Sequence, residues 1–147
     1  MGKVSVQVSH PLQAMIKIPA SIIENMKVHV QGCLPEEACG LLSGSEDTVI
    51  NCFRITNHLH LPDRFRMDPY EQVRALMDIE KNGYQLIAIY HSHPNGPLQP
   101  SPTDLAETAY PDTTTLIWGR EGGDWEMKAF KVNPDHSIEE KVVITIP

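Results

Sequence analysis

The chain predicts an α/β fold: one domain over residues 1–147, with a mixed β-sheet covered by helices. Three observations carry that expectation. Segments of strand-like alternation take turns with segments of helical period. The last third closes on a hairpin pattern around Gly122-Gly123. Finally, 147 residues with 41% hydrophobic and 21% charged content suffice for one independent core. No internal repeat, low-complexity tract or linker interrupts this pattern.

The opening segment up to Pro19 reads as extended structure around the break at Pro11. Ile22, Ile23, Met26, Val30 and Leu34 then recur near helical period, which predicts a helix from Ser21 to about Gln31, with Gly32 as its stop. Glu37 to Gly44 reads as a strand leaving a loop, with glycines where backbone approaches closely. Thr48 to Thr56 alternates and predicts a strand. Phe65 to Met67 is short and extended. Asp68-Pro69-Tyr70-Glu71 supplies an N-cap, a first-turn proline and an acidic third residue, so a helix runs to about Lys81 on Val73, Leu76 and Met77. Gln85 to Tyr90 is a short apolar run and predicts a buried strand. Ser101-Pro102-Thr103-Asp104 starts another helix, to about Ala109. Thr113–Trp118, Trp125–Val132 and Ile138–Ile146 read as strands. Trp118, Trp125 and the apolar tail 142–146 are assigned to the core.

Composition excludes several functions. The formal net charge is −7, against the basic face that nucleic acid or an anionic membrane requires. The longest apolar stretch, Leu86 to Tyr90, is about five residues where a membrane span needs roughly 20. The N-terminal segment lacks the apolar core of a signal peptide. Cys33, Cys39 and Cys52 are an odd number without CxxC spacing, which predicts buried free thiols in a reducing cytoplasm. Cys39 is expected to pack rather than react.

The candidate chemistry lies in one stretch. Five of the 12 prolines fall between Pro94 and Pro111, so a stiff, irregular loop follows the Tyr90 strand. At its head stands His91-Ser92-His93. Strand side chains alternate faces, so the two imidazoles point the same way and can grip one Zn²⁺. The loop can turn back and set Asp104, one turn into the next helix, against the same ion. Two histidines and one carboxylate leave the fourth tetrahedral position to water, the open arrangement of a hydrolase. Ser101 stands close enough for its hydroxyl to serve an oxyanion. A proton carrier is also needed, and Glu36 and Glu37, ahead of an apolar run, are both candidates. Each piece also has a plainer role. Ser101 and Asp104 fit a capping box, the two glutamates fit a solvated loop, and His58-Leu59-His60 repeats the His-x-His spacing in a polar loop.

The combination resembles the JAMM (MPN-plus) metalloproteases. Its parts are Glu37-Ala38-Cys39-Gly40-Leu41-Leu42-Ser43-Gly44, His91-Ser92-His93-Pro94 and, after seven residues from the second histidine, Ser101-Pro102-Thr103-Asp104. The resemblance spans roughly Ala20 to Val132. It implies a curved mixed sheet flanked by helices, with the cytidine-deaminase-like core of MPN/JAMM domains. It also implies a zinc hydrolase of peptide or isopeptide bonds after the C-terminal Gly-Gly of a ubiquitin-like or sulfur-carrier protein. By the same resemblance His91, His93 and Asp104 hold Zn²⁺, Glu37 rather than Glu36 is the general acid/base, and Ser101 steadies the oxyanion. The compact length, with the segments Thr56-Asn57 and Phe65-Arg66-Met67-Asp68, is similar to the prokaryotic peptidases that act on CysO-type sulfur carriers.

A Gly-Gly tail must lie extended to reach a recessed ion. Strand addition along residues 52–57, or along the loop 57–68, would supply its backbone hydrogen bonds. The alternative reading is a catalytically silent interaction module of the same fold. A nucleobase deaminase is disfavoured because no P-C-x-x-C pair is present.

Overall fold

The computed structural model describes residues 15–107, 110 and 113–147. The element order is β1 (Met15–Pro19), α1 (Ala20–Gly32), β2 (Cys39–Ser45), β3 (Thr48–Ile55), α2 (Pro69–Lys81), β4 (Gln85–His93), α3 (Pro102–Ala106), β5 (Thr114–Arg120), β6 (Trp125–Val132) and β7 (Ile138–Ile146). The expected mixed sheet with flanking helices is present, and its curvature goes to full closure. The strands form a barrel in the order β1-β3-β2-β4-β5-β6-β7. β2 pairs antiparallel with β3 and β4, β4 pairs parallel with β5, and β1 pairs parallel with β7 over five residue pairs. The register of β2 shifts between Leu42 and Gly44 against both neighbours. Such bulges sharpen the bend of a strand.

β2 is the central strand, and Cys39 to Gly44 are all buried. Its side chains serve two cores on opposite faces. Leu42 joins Ile18, Met26, Val30, Tyr90, Leu116 and Trp118 beneath α1, while Cys39 and Leu41 join Ile55, Met67 and Ala75. Gly40 lies on the Tyr90 side, where a Cβ would overlap the Tyr90 ring. This is the close approach that the glycine predicts. Burial pushes the Tyr90 phenol pKa up, so it stays protonated, and its hydroxyl lies 2.6 Å from His29 Nδ1.

The buried face of α2, the end of β4 and the core assignment of the tail at Val142 are corrected. α2 starts as predicted, with the Asp68 carboxylate accepting from Glu71 N–H at 2.9 Å. However, Val73 and Met77 are 54% and 64% exposed, and α2 instead buries Ala75 and Ile79. Tertiary packing on the sheet selects the narrower face of small and branched residues, and the Glu71 carboxylate leaves the helix to accept from Thr56 N–H at 2.8 Å. β4 runs on through His93 rather than ending at Tyr90, because parallel pairing with β5 continues to His93 opposite Gly119. α3 ends at Ala106, with Glu107 as its C-cap. The predicted extension to Ala109, and the predicted extended segment before Met15, fall outside the described residues. In the tail, Val143 packs against the core and Val142 is exposed.

No described helix is long and apolar enough to cross a membrane.

Candidate metal centre

β4 presents His91 and His93 on one face and Ser92 on the other. Ser92 Oγ accepts from Ala38 N–H at 2.8 Å and Ser92 N–H donates to Ala38 O at 3.0 Å. These two bonds tie the start of β2 to the histidine strand and bring Glu37, next to Ala38, over the imidazoles. Ligand-capable atoms of Glu37, His91 and His93 all lie within 4.8 Å of one another. The three residues are 3%, 2% and 6% exposed.

Asp104 arrives from the far end of the proline loop. Ser101 and Asp104 do form a capping box: Ser101 Oγ accepts from Asp104 N–H at 3.0 Å, and Asp104 Oδ2 accepts from Ser101 N–H at 2.8 Å. That same Oδ2 lies 3.1 Å from both His91 Nε2 and His93 Nε2, which are themselves 3.1 Å apart. The cap thus orients the carboxylate toward the imidazoles while stabilising the helix start. Among the described residues the Ser101 hydroxyl accepts from Asp104 N–H and donates to none.

The protonation pattern of this triangle follows from its surroundings. His93 Nδ1 lies 2.8 Å from Pro97 O. A carbonyl can only accept, so Nδ1 carries the hydrogen, and in the neutral ring Nε2 is a bare lone pair. That lone pair faces a second imidazole nitrogen and a carboxylate oxygen. Three heteroatoms this close repel one another unless a proton or a metal ion lies among them. Tetrahedral ligands at about 2.0 Å from one ion stand roughly 3.3 Å apart, close to the observed 3.1 Å edges. A nitrogen–nitrogen–oxygen donor set suits zinc and other first-row divalent ions. The residues therefore fit a metal ion.

Burial lowers the His91 pKa, with only partial offset from Asp104. Burial also pushes His93 down, but hydrogen bonds to Asp104 and the Pro97 carbonyl outweigh it and leave it raised. Burial pushes Asp104 up, yet the two imidazoles hold its carboxyl well below the usual range. Glu37 moves the other way, to about 8, chiefly through burial; His93 opposes the shift, and the charges of Asp104 and Asp63 add to it. Glu37 Oε1 is buried with no hydrogen-bond partner among the described residues.

The remaining candidates separate cleanly. Glu36 is at the surface, 3.1 Å from His60 Nδ1. Cys39 packs as expected, its thiol donating to Ile55 O at 3.4 Å and its pKa raised by burial. Cys33, Cys39 and Cys52 are all free thiols.

Three further residues shape the site, Ser92, Asn57 and Phe65; all lie in segments that the family resemblance marks, without a role assigned there. Ser92 carries a local signal, since a serine inside a buried strand needs a partner. Asn57 carries none. Its side chain donates to the carbonyls of Glu37, Arg64 and Leu61 at 3.1, 3.1 and 3.4 Å and accepts from Leu59 and Arg66 N–H, fastening the loop 57–67 to the backbone of Glu37. Phe65, in that loop, stacks on His91 with centroids 4.6 Å apart. Beside His91 and Asp104 opens a cavity of about 210 Å³, walled by Phe65, Arg66, Met67, Ile89 and Thr103.

Known proteins share the sequence pattern and the fold. A family model described as prokaryotic homologs of the JAB domain matches residues 19–132. The chain is 35% identical over 109 residues to the desampylase of Pyrococcus furiosus, covering 74% of this chain and 76% of that protein. It is 32% identical over 109 residues to a probable TtuB-protein conjugate cleaving protease of Thermus thermophilus, covering 74% and 72%. With the CysO-cysteine peptidase of Mycobacterium tuberculosis it shares 29% identity over 131 residues, covering 87% and 90%. The solution structure of a protein from Desulfitobacterium hafniense superposes with a TM-score of 0.81 at 34% identity, over 90% of this chain and 93% of that one. A JAB1/MPN domain protein from Archaeoglobus fulgidus shares the fold, with a TM-score of 0.54 at 20% identity, over 88% and 99%.

Proposed function

This chain belongs to the prokaryotic JAB-domain family, and from that premise we propose that it is a zinc peptidase or isopeptidase that cleaves after the C-terminal Gly-Gly of a ubiquitin-like or sulfur-carrier protein. It is a hydrolytic enzyme of JAMM type, as its named relatives are proteases and peptidases of such conjugates. The observation that carries the metal reading is the convergence of His91 Nε2, His93 Nε2 and Asp104 Oδ2 at 3.1 Å. We assign the whole chain, residues 1–147, to this one domain. A reducing, cytoplasmic setting suits its three unpaired cysteines.

His91, His93 and Asp104 would hold the ion, because Asp104 approaches both imidazoles more closely than Glu37 does. Zinc bound there supplies Lewis-acid polarisation of the scissile carbonyl and a water acidified toward pH 7. The chain's own groups do the rest. Glu37, with a carboxyl poised near neutrality, takes the proton of the attacking water and returns it to the leaving amine. The Ser101 hydroxyl donates to the developing oxyanion.

Of the two edges considered for the tail, the loop 57–68 is the one that walls the cavity. Its residues alternate in backbone direction. Arg64 and Arg66 turn inward to Asn57 and His58, while the Phe65 N–H and carbonyl bond to no other described residue. An extended tail can pair there as an added strand.

The test is Glu37→Gln with a Gly-Gly-tailed conjugate as substrate. Turnover falls on the order of 10³-fold, within the range for a lost general acid/base, while metal content and fold are kept. Unchanged turnover would remove Glu37 from the chemistry. Equal rates for Gly-Gly and Ala-Ala tails would remove the tail assignment.

A further inference from the structure

His93 owes its orientation to a contact outside the metal triangle. In the parallel register of β4 and β5, His93 stands opposite Gly119. Gly119 has no side chain, and the space beside it is taken by the loop after β4. A Cβ on Gly119 would meet Leu98 Cδ2 at 3.0 Å, Leu98 Cγ at 3.2 Å and Pro97 O at 3.7 Å. Leu98 is 6% exposed, an apolar plug in a loop otherwise made of proline, glycine and polar residues. Just past β5, the Glu121 carboxylate accepts from Leu98 N–H at 3.3 Å. Gly96 N–H closes the turn onto His93 O at 2.9 Å. Between these anchors sits Pro97, whose carbonyl accepts from His93 Nδ1 at 2.8 Å.

We propose that Leu98, seated over Gly119 and held by Glu121, is a positioning residue that keeps the Pro97 carbonyl on His93 Nδ1. The chain thereby selects the tautomer whose Nε2 is open toward His91 and Asp104. Without the plug, the Pro97 carbonyl turns to water and the hydrogen is free to move to Nε2, the atom a ligand must keep bare. Gly119 is part of the device, since a Cβ there presses on Leu98 and a branched side chain takes its seat. The inference rests on the metal-centre reading above, and its test separates the two.

Two quantities are measured on wild type, Leu98→Ala, Leu98→Met and Gly119→Val. One is the zinc dissociation constant, by competition with a chromophoric chelator. The other is the solvent-exchange lifetime of the His93 Nδ1–H, by NMR on the metal-free and zinc-loaded chain. Leu98→Ala and Gly119→Val weaken zinc about tenfold, the lower end for an outer partner of a ligating histidine, and shorten the Nδ1–H lifetime. Leu98→Met conserves volume and restores both. A well-dispersed spectrum of each variant excludes unfolding as the cause. Wild-type zinc affinity together with a wild-type Nδ1–H lifetime in both Leu98→Ala and Gly119→Val overturns the proposal. If wild type itself takes no zinc, the metal-centre reading fails, and the lifetime in the metal-free chain still decides the role of Leu98.

Discussion

Two His-x-His pairs occupy this chain, and they meet different fates. His91 and His93 lie on β4, where the pleat points both rings to one face and parallel pairing with β5 holds the backbone. His58 and His60 lie in the loop 57–67, where His60 has a left-handed backbone (φ 53°) and pairs with Glu36 at the surface. Spacing is identical in the two pairs. What separates them is the backbone beneath them and what converges from elsewhere: Asp104 from α3, Glu37 from β2's approach and Pro97 from the proline loop. A dipeptide repeat becomes a site only when non-local elements close on it.

Substitution gives the sharpest break of that contrast. His91→Ala loses the metal and, with it, turnover. His58→Ala leaves metal content and turnover within about twofold, as surface changes away from special features do. Metal analysis and a conjugate-cleavage assay on both variants check this, and equal losses would erase the distinction between strand and loop.

Much of this contrast is readable from local residues, and the rest is not. β6 and β7 fall on their predicted bounds because alternation and the flanking turns are local signals. The start of α2 is equally local, written in Asp68, Pro69 and Glu71. The buried face of α2 is not, since packing on β3 and β4 decides it and favours Ala75 and Ile79 over Val73 and Met77. Barrel closure rests on β1 meeting β7 across the length of the chain, a pairing no window of sequence contains. In the site, the ligand-bearing motif is visible through its spacing. The roles of Asn57, Ser92 and Phe65 are less so, because each closes a contact distant in sequence: Asn57 reaches Glu37, Phe65 stacks on His91, and Ser92 holds Ala38, 54 residues away.

Ser92 supplies the next test. Ser92→Ala leaves the Ala38 N–H buried without its acceptor, at a cost of about 1–3 kcal/mol. The melting temperature of the metal-free chain falls by several degrees. The same change at exposed Ser137 in the β6–β7 turn costs less, because water replaces what is lost. Equal shifts at the two serines would deny Ser92 its structural role.

The smallest effect concerns pH. The His29 pKa is lowered to about 4, first by burial and then by the Arg54 charge, and its Nδ1 shares a hydrogen bond with the Tyr90 hydroxyl. Between roughly pH 4 and 6.5 the unfolded chain binds a proton that the folded chain does not. Stability from this group is therefore full above about pH 6.5 and declines as pH falls toward 4. His29→Gln flattens that decline relative to wild type in chemical denaturation across the window. Parallel curves for the two proteins would contradict the assignment.

The most direct measurement is zinc per chain in purified wild type and Asp104→Ala, each after incubation with zinc and removal of excess. The account predicts about one zinc in wild type and far less in the variant. No zinc in wild type, or full retention by Asp104→Ala, would contradict a centre built from His91, His93 and Asp104.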